Sequence, residues 1–178
     1  PLNDVRSELI FNAPAGSGFV NQNGGCCDLS SHYHTVITQY DGNDKTQICH
    51  IWFDGSTWKS ELVSDFTFKY DLSGPLTTNQ LSRPLIAVTQ FGKIFVLYRT
   101  SHMNRQNHIR CIDVSTPNAP IDFCLTKFNM NLLELSLNTD YAINSNELVF
   151  LLSRGAGDVE NALWKNQSTY LLTAPLMI

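Results

Sequence analysis

Charged residues are scarce in this sequence: Lys, Arg, Asp and Glu make up only 16% of its 178 residues, where a typical soluble domain has about a quarter. The 16 acidic residues outnumber the 12 basic ones, so the formal charge is −4. Nucleic-acid-binding proteins normally carry a basic surface that neutralises phosphates, and anchors to membrane surfaces carry clusters of Lys and Arg. The composition therefore argues against both classes of partner.

Long hydrophobic runs are lacking as well. No stretch reaches the roughly 20 apolar residues of a membrane-spanning helix, and no signal peptide is recognisable. The chain begins at Pro1 without an initiator methionine, which we interpret as a processed product or a fragment, and this interpretation leaves room for a secretion signal that has been removed. We therefore expect a secreted, periplasmic or extracellular protein. The five cysteines are an odd number and include the adjacent pair Cys26 and Cys27, which is a poor disulfide framework.

Helical periodicity is also missing, and almost every periodic stretch is typical of a β-strand. Residues 34–40 are rich in β-branched and aromatic side chains, residues 45–53 alternate between two faces, and residues 58–63 continue the pattern. Asp/Gly turns separate these segments, so they predict an antiparallel meander. The segment 24–29 just upstream is predicted to supply a fourth, innermost strand.

The same order of strands recurs twice along the chain. The first strands of the three copies begin near residues 25, 85 and 133, giving steps of about 60 and 48 residues, and four-stranded units of this length are typical of propeller blades. We predict an all-β fold, a β-propeller with three four-stranded blades over residues 20–70, 80–130 and 131–178. The strands predicted for the second and third blades are 85–89, 93–98, 108–114, 122–128, 132–137, 147–152, 162–165 and 168–173.

Three blades do not close a propeller ring, which usually has four to eight. We therefore expect residues 1–178 to be the C-terminal part of one propeller domain. Trp58, Phe95 and Tyr98 are expected to face neighbouring blades. The apolar faces left open are predicted to be covered by about four further blades, on a second polypeptide derived from the N-terminal part of the same precursor after a nick.

One segment resembles a known motif. Residues 52–58, Trp-Phe-Asp-Gly-Ser-Thr-Trp, resemble a shortened Asp-box of sialidase-like BNR-repeat propellers, in which Asp caps the turn and Gly supplies a positive φ. Together with Val20-Asn21-Gln22 and Leu81-Ser82-Arg83-Pro84, this segment is similar to the later blades of the BNR-repeat family that contains the ulvan lyases. The resemblance covers roughly residues 17–152.

This resemblance implies a seven-bladed polysaccharide lyase that cleaves a sulfated, uronate-containing polysaccharide such as ulvan by β-elimination. A neutral His or Tyr would remove the C5 proton while cationic or hydrogen-bonding groups neutralise the uronate carboxyl. Because the family's catalytic residues lie mostly on earlier blades, no catalytic residue is assigned here. The alternative is a non-catalytic carbohydrate-binding propeller. A sialidase-type hydrolase is disfavoured, because the six arginines show no evident triad.

Four residues are candidates for substrate binding. His50 and Trp52 lie near the end of a predicted strand, Arg83 precedes an inner strand, and Arg99 ends another. A guanidinium binds sulfate or carboxylate in bidentate fashion, and Trp52, like Tyr98, is able to stack on a sugar ring. The alternatives left open are a hydrogen-bonded His at a blade edge, a structural salt bridge for Arg83, and packing of the aromatic rings between blades.

The resemblance also implies a structural zinc ion held by Cys and His of neighbouring blades, for which Cys26, Cys27 and His102 are the candidates. Zinc takes four N or S ligands in tetrahedral geometry. Adjacent cysteines on a strand point to opposite faces unless a bulge intervenes, so this pair departs from the family pattern. His32 and His34 share a face and are an alternative pair; buried thiols and surface histidines are the other interpretation.

Overall fold

The computed structural model describes residues 8–19, 24–69, 81–100, 108–126, 132–154 and 169–176. These ranges contain eleven strands in three antiparallel sheets and one short helix. The predicted all-β class is therefore confirmed. In the same ranges, no helix has the length and apolar character needed to cross a bilayer.

The first sheet is the predicted four-stranded meander, with strands in the order β1-β2-β3-β4. Asp41 shapes the turn between β2 and β3, because its Oδ1 accepts hydrogen bonds from the backbone N–H of Asn43 at 2.8 Å and of Lys45 at 2.9 Å. This side-chain capping favours a tight turn and fixes the register of the hairpin. The strands are β1 (Gly25–Cys27), β2 (Tyr33–Tyr40), β3 (Thr46–Phe53) and β4 (Trp58–Leu62).

The turn between β3 and β4 has the construction expected of an Asp-box. Asp54 Oδ1 accepts hydrogen bonds from the backbone N–H of Ser56 at 2.9 Å and of Thr57 at 2.8 Å. Gly55 adopts a φ of 94°, a conformation that costs little only for glycine. The roles predicted for Asp54 and Gly55 are thus confirmed.

Replacing Gly55 by alanine is expected to destabilise the protein by about 1–2 kcal/mol, because a Cβ is strained at positive φ and would lie 3.0 Å from His32 Nε2. Chemical denaturation of the purified variant measures the loss. Gly42→Ala is the matched control, since a Cβ at Gly42 meets nothing within 4 Å; its unfolding free energy should change by less than about 0.5 kcal/mol. Equal losses for the two variants would contradict this account.

The second sheet repeats the topology of the first, in the order β5-β6-β7-β8. Its first strand begins at Leu85, where the sequence predicted it. Thr89 N donates to Lys93 O at 2.9 Å and closes the predicted turn between the first two strands. The strands are β5 (Leu85–Val88), β6 (Ile94–Thr100), β7 (His108–Asp113) and β8 (Ile121–Cys124).

The third sheet has three described strands in the order β11-β10-β9. Its strand predicted over residues 162–165 lies outside the described residues. A five-residue helix, begun by the Asn138 side chain accepting from Tyr141 N, connects the first two strands. The elements are β9 (Leu132–Leu137), α1 (Thr139–Ile143), β10 (Glu147–Arg154) and β11 (Thr169–Pro175).

The three sheets pack face to face in chain order through two apolar clusters. Val36, Ile48 and Tyr98 belong to the cluster between the first and second sheets, and Phe95 and Phe150 belong to the cluster between the second and third sheets. Tyr98 is fully buried and Phe95 is 4% exposed, so both face a neighbouring sheet as predicted. Trp58 packs on the opposite face of the first sheet, against a cluster of Ile37, Cys49 and Ile51.

The third sheet turns one apolar face away from the second sheet. Leu151 and Leu171 are paired across β10 and β11, and they are 52% and 71% exposed. Their neighbours Phe150 and Leu172 point the other way, into the cluster shared with the second sheet. Alternation along the strands thus gives this sheet one covered face and one face open to solvent.

The ends of the strands give the first two sheets two opposite sides, and in this description each such side is called an edge. One edge holds the end of β3 and the start of β6, since Trp52, Phe53 and Ile94 line one cleft; we call it the cleft edge. The other holds the start of β5 and the end of β6, where Ser82 N donates to Arg99 O; we call it the arginine edge. The two edges are separated by roughly 10 Å along the four residues of β5.

Candidate functional site

A cleft of about 190 Å³ opens between the first and second sheets at the cleft edge. The first sheet supplies polar and aromatic side chains, and the second sheet supplies mainly apolar ones. The first sheet therefore forms the more polar wall of the cleft. The residues that line it are Asp28, His32, His34, His50, Trp52, Phe53, Asp54 and Glu61 from the first sheet and Ile94, Val114, Ser115 and Pro117 from the second.

Two buried histidines form the floor of this cleft. His34 on β2 and His50 on β3 are 3% and 2% exposed, and His34 Nδ1 lies 2.9 Å from His50 Nε2. The alternation of the hairpin brings them together, because His34 pairs with Trp52 and Val36 pairs with His50, which places His34 and His50 diagonally on one face. The rings are nearly parallel, with an interplanar angle of 14°.

A carboxylate faces the outer nitrogen of each imidazole. His34 Nε2 lies 3.6 Å from Asp28 Oδ2, and His50 Nδ1 lies 3.7 Å from Glu61 Oε1. Neither nitrogen has a hydrogen-bond partner within the described part of the chain. Both carboxylates are held in place through their other oxygens: Asp28 Oδ1 accepts from His32 N, and Glu61 Oε2 accepts from Asn118 N of the second sheet at 2.8 Å.

Burial sets the protonation of these groups. It lowers the pKa of His50 to about 3, and the neighbouring His34 adds to the effect. Burial also lowers the pKa of His34, against the opposing attraction of Asp28. For Asp28 burial opposes ionisation, but the backbone hydrogen bonds from His32 and Ser30 outweigh it and lower the pKa. At neutral pH the cleft floor therefore holds two neutral imidazoles beside ionised Asp28.

His50 and Trp52, both predicted to bind substrate, lie together in the cleft. Trp52 is half-buried at the rim and stacks on His50 with ring centroids 4.7 Å apart. The two nitrogens of His50, however, face His34 and Glu61. His50 is thus placed to hold or pass a proton within this group, and Trp52 is the one of the two that offers a surface to a ligand.

Arg83 and Arg99, the other two predicted substrate-binding residues, lie at the arginine edge. Arg83 is exposed two residues before β5 begins, whereas Arg99 is 4% exposed near the end of β6. The structure therefore does not bring the four predicted residues into one site. Tyr98 is buried between sheets, and its hydroxyl donates to Asp122 at 2.7 Å.

The predicted zinc ligands are only partly described. Cys26 and Cys27 are consecutive in β1 without a bulge in its pairing, so their side chains point to opposite faces and do not converge on one ion. Burial raises the pKa of Cys26 to about 12, which opposes the thiolate form that binds zinc. His102 lies outside the described residues. Across the described ranges, no three His, Cys, Asp or Glu side chains are arranged to hold a metal ion, and zinc stays a prediction.

His32 and His34, the alternative pair, do share a face. Their ring nitrogens lie 3.3 Å and 3.6 Å from the same oxygen, Asp28 Oδ2. Asp28 and Glu61 were not predicted from the sequence. A signal for Asp28 was its place next to the innermost strand, and Glu61 pairs directly with His50 across β3 and β4.

In comparisons with known proteins, no family model matches the chain, and no curated protein matches it.

Proposed function

We propose that the chain is a set of blades of a secreted β-propeller that binds and cleaves a sulfated, uronate-containing polysaccharide by β-elimination. One observation carries the proposal: two successive four-stranded meanders pack face to face, and the Asp54 side chain caps a turn of the first. Consecutive antiparallel blades packed in this way are the repeating unit of propellers. The lyase activity itself is proposed from the resemblance of the sequence to BNR-repeat ulvan lyases.

The innermost strands of the two meanders lie side by side, as a propeller requires. Gly24 lies just before β1. A Cβ built on it would lie 3.1 Å from the Cα of Leu85, the first residue of β5, and 3.1 Å from the carbonyl oxygen of Pro84, the residue before it. This close approach places Arg83 beside the junction of the two inner strands. In a closed ring, inner strands line the central channel, where propellers commonly bind ligands.

Charge favours the arginine edge as the place for an anionic sugar. Three carboxylates, those of Asp28, Asp54 and Glu61, line the cleft, and like charges placed close together repel. Arg83 is exposed at the opposite edge, where its planar guanidinium suits a sulfate or uronate carboxylate. We therefore propose that Arg83 binds the substrate and that a general base comes from outside the cleft.

A non-catalytic carbohydrate-binding propeller is the second candidate. The observation that favours it is the enclosure of the cleft histidines, whose facing nitrogens approach one another and two carboxylates. An imidazole engaged in this way is not positioned to take a proton from a sugar. Under this alternative Arg83 keeps its role in binding, and no unsaturated product forms.

Arg83→Ala is expected to weaken binding of sulfated, uronate-containing oligosaccharides by about 1–3 kcal/mol, because it removes a charge-assisted hydrogen bond. Calorimetric titration measures the affinity, and ultraviolet absorbance of the unsaturated product measures cleavage. Lys59→Ala is the matched control, since Lys59 is half-exposed and lies 3.4 Å from Asp54 at the cleft edge.

The two readouts separate the candidate functions. Ultraviolet-absorbing product with the parent protein, lowered by Arg83→Ala and retained by Lys59→Ala, supports the lyase. Binding without product on any uronate polymer supports the binding propeller. An unchanged affinity of Arg83→Ala together with a lowered melting temperature would show that Arg83 is structural and would remove it from the proposed site.

A further inference from the structure

The cleft between the first two sheets has negative charge that its own walls leave uncompensated. Three carboxylates line it, and none of the described lining residues is Lys or Arg. Asp54 at the rim has a nearby cation, since Lys59 Nζ lies 3.4 Å from its Oδ2. Asp28 and Glu61 are more enclosed, with 21% and 10% of their side chains exposed, and the basic groups nearest to them among the described residues are histidines.

Two buried nitrogens on the cleft floor lack a partner as well. His34 and His50 are 3% and 2% exposed, yet His34 Nε2 and His50 Nδ1 make no hydrogen bond within the part of the chain that the structure describes. The facing oxygens of Asp28 and Glu61 lie 3.6 and 3.7 Å away, beyond hydrogen-bond distance. A buried polar atom without a partner is costly. A hydrogen-bond donor placed beside either histidine would satisfy the carboxylate, and the nitrogen where it carries a lone pair.

These two polar positions lie at opposite ends of the cleft floor. Asp28 follows the first strand of the sheet and Glu61 is on the fourth. Adjacent strands are about 4.8 Å apart, so roughly 14 Å separates the two backbones, and the side chains reach inward from both ends. Between them the facing wall of the second sheet is uncharged and includes the apolar Ile94, Val114 and Pro117. A complementary ligand therefore has a positive charge at each end and an apolar chain between them.

Trp52 adds an aromatic surface at the rim of the cleft. Its ring stacks on His50 with centroids 4.7 Å apart, and His50 stacks on His34 at 5.2 Å, so the three rings form a column that ends with Trp52. The indole is only half-buried. An exposed indole face attracts cations and packs well against methylene groups, so it favours the same kind of ligand.

We infer that this cleft binds a linear diammonium compound, an alkane diamine or a polyamine, with one ammonium group at Asp28, the other at Glu61 and the methylene chain along the apolar wall. An ammonium group brings three N–H donors to each end. A metal ion fits less well, because the described residues include no three His, Cys, Asp or Glu side chains arranged to hold one. The site is separate from the anion site proposed at the arginine edge and does not depend on it.

Calorimetric titration of the full chain at low salt, with hexamethylenediamine and with hexylamine, tests this inference. The diamine should bind at least about tenfold more tightly than the monoamine of the same length, because its second ammonium group adds a charge-assisted hydrogen bond. Asp28→Asn and Glu61→Gln should each weaken diamine binding by at least about tenfold for the same reason. Asp65→Asn removes the same charge at an exposed position and is the matched control, with a change of less than about twofold.

Nitrogen-15 NMR of the parent chain supplies a second readout, which decides the question if neither cleft variant folds. The indole N–H signal of Trp52 should shift on addition of the diamine. The signal of Trp58 should not, because Trp58 packs on the opposite face of the same sheet.

Any of four results would overturn the inference. The first is a diamine that does not bind, or binds no more tightly than the monoamine. The second is an equal loss of diamine affinity in Asp65→Asn and in the cleft variants. The third is a shift of the Trp58 signal without a shift of the Trp52 signal. The fourth is tight binding of zinc ions that the diamine does not displace, which would assign the cleft to a metal instead.

Discussion

Lowering the pH from 7 toward 3 is expected to reduce the free energy of unfolding by about 4 kcal/mol through the buried His50 and its coupling to His34. In the folded protein, burial lowers the pKa of His50 from its ordinary value of 6.5 to about 3. Because the folded pKa is the lower one, the unfolded chain binds the proton first. The stabilising contribution is complete above pH 6.5 and is lost as the pH falls toward 3.

Urea denaturation at several pH values between 7 and 5 measures the effect, and about 2 kcal/mol should be lost in this window. Carboxylates change little there, because their ordinary pKa values lie near 4. In His50→Gln the glutamine does not titrate, so the slope of the unfolding free energy against pH should fall by up to about 1.4 kcal/mol per pH unit. His32→Gln is the control, since His32 lies at the cleft rim with 32% of its side chain exposed. A slope that survives His50→Gln unchanged would contradict the assignment to His50.

Phe150→Ala is expected to cost about 3–5 kcal/mol of stability, the range for removing a large buried aromatic side chain. Phe150 is fully buried in the cluster that joins the second and third sheets. The substitution leaves a cavity between the sheets that their strands, held by hydrogen bonds, close only in part. Thermal and chemical denaturation of the variant measure the loss.

Leu151→Ala is the matched control for Phe150→Ala, because the adjacent side chain points to the opposite face and is 52% exposed. Its cost should stay below about 1 kcal/mol in the isolated chain. The same substitution distinguishes the isolated chain from a closed propeller, in which a further blade would bury this face. A loss of about 2 kcal/mol or more on Leu151→Ala would show that the face is covered in the protein as measured.

The strands of the first two sheets were predictable because their turns carry their own chemistry. Asp41 and Asp54 cap backbone N–H groups directly after each strand, so the sequence marks where each hairpin reverses. The predicted and observed first strands begin at Gly25 and Leu85 alike. Helix α1 was not predicted, because five residues are too few to show a 3.6-residue period; the Asn138 cap was its one local signal.

The cleft was only half predictable. Alternation alone places His50 and Trp52 on one face of a strand, but the groups that face His50, namely His34 and Glu61, lie on other strands, and Asp28, which faces His34, lies in a loop. Strand polarity would have separated Arg83 from Trp52. Arg83 precedes the first strand of a meander and Trp52 lies near the end of the third, and antiparallel neighbours put these positions at opposite edges. The residues predicted to bind substrate therefore included pairs that lie at opposite edges of the sheets.

In each of the first two sheets, every strand pairs with the strand that follows it in the chain after a short connection. Short connections close easily, so each of these two sheets is expected to form as a local unit without distant segments. During synthesis the first meander is complete before the second has emerged. Its apolar face, which includes Val36 and Ile48, is then available for the second meander to pack against. The sheets are therefore expected to assemble in chain order, with each sheet packing against the one that formed before it.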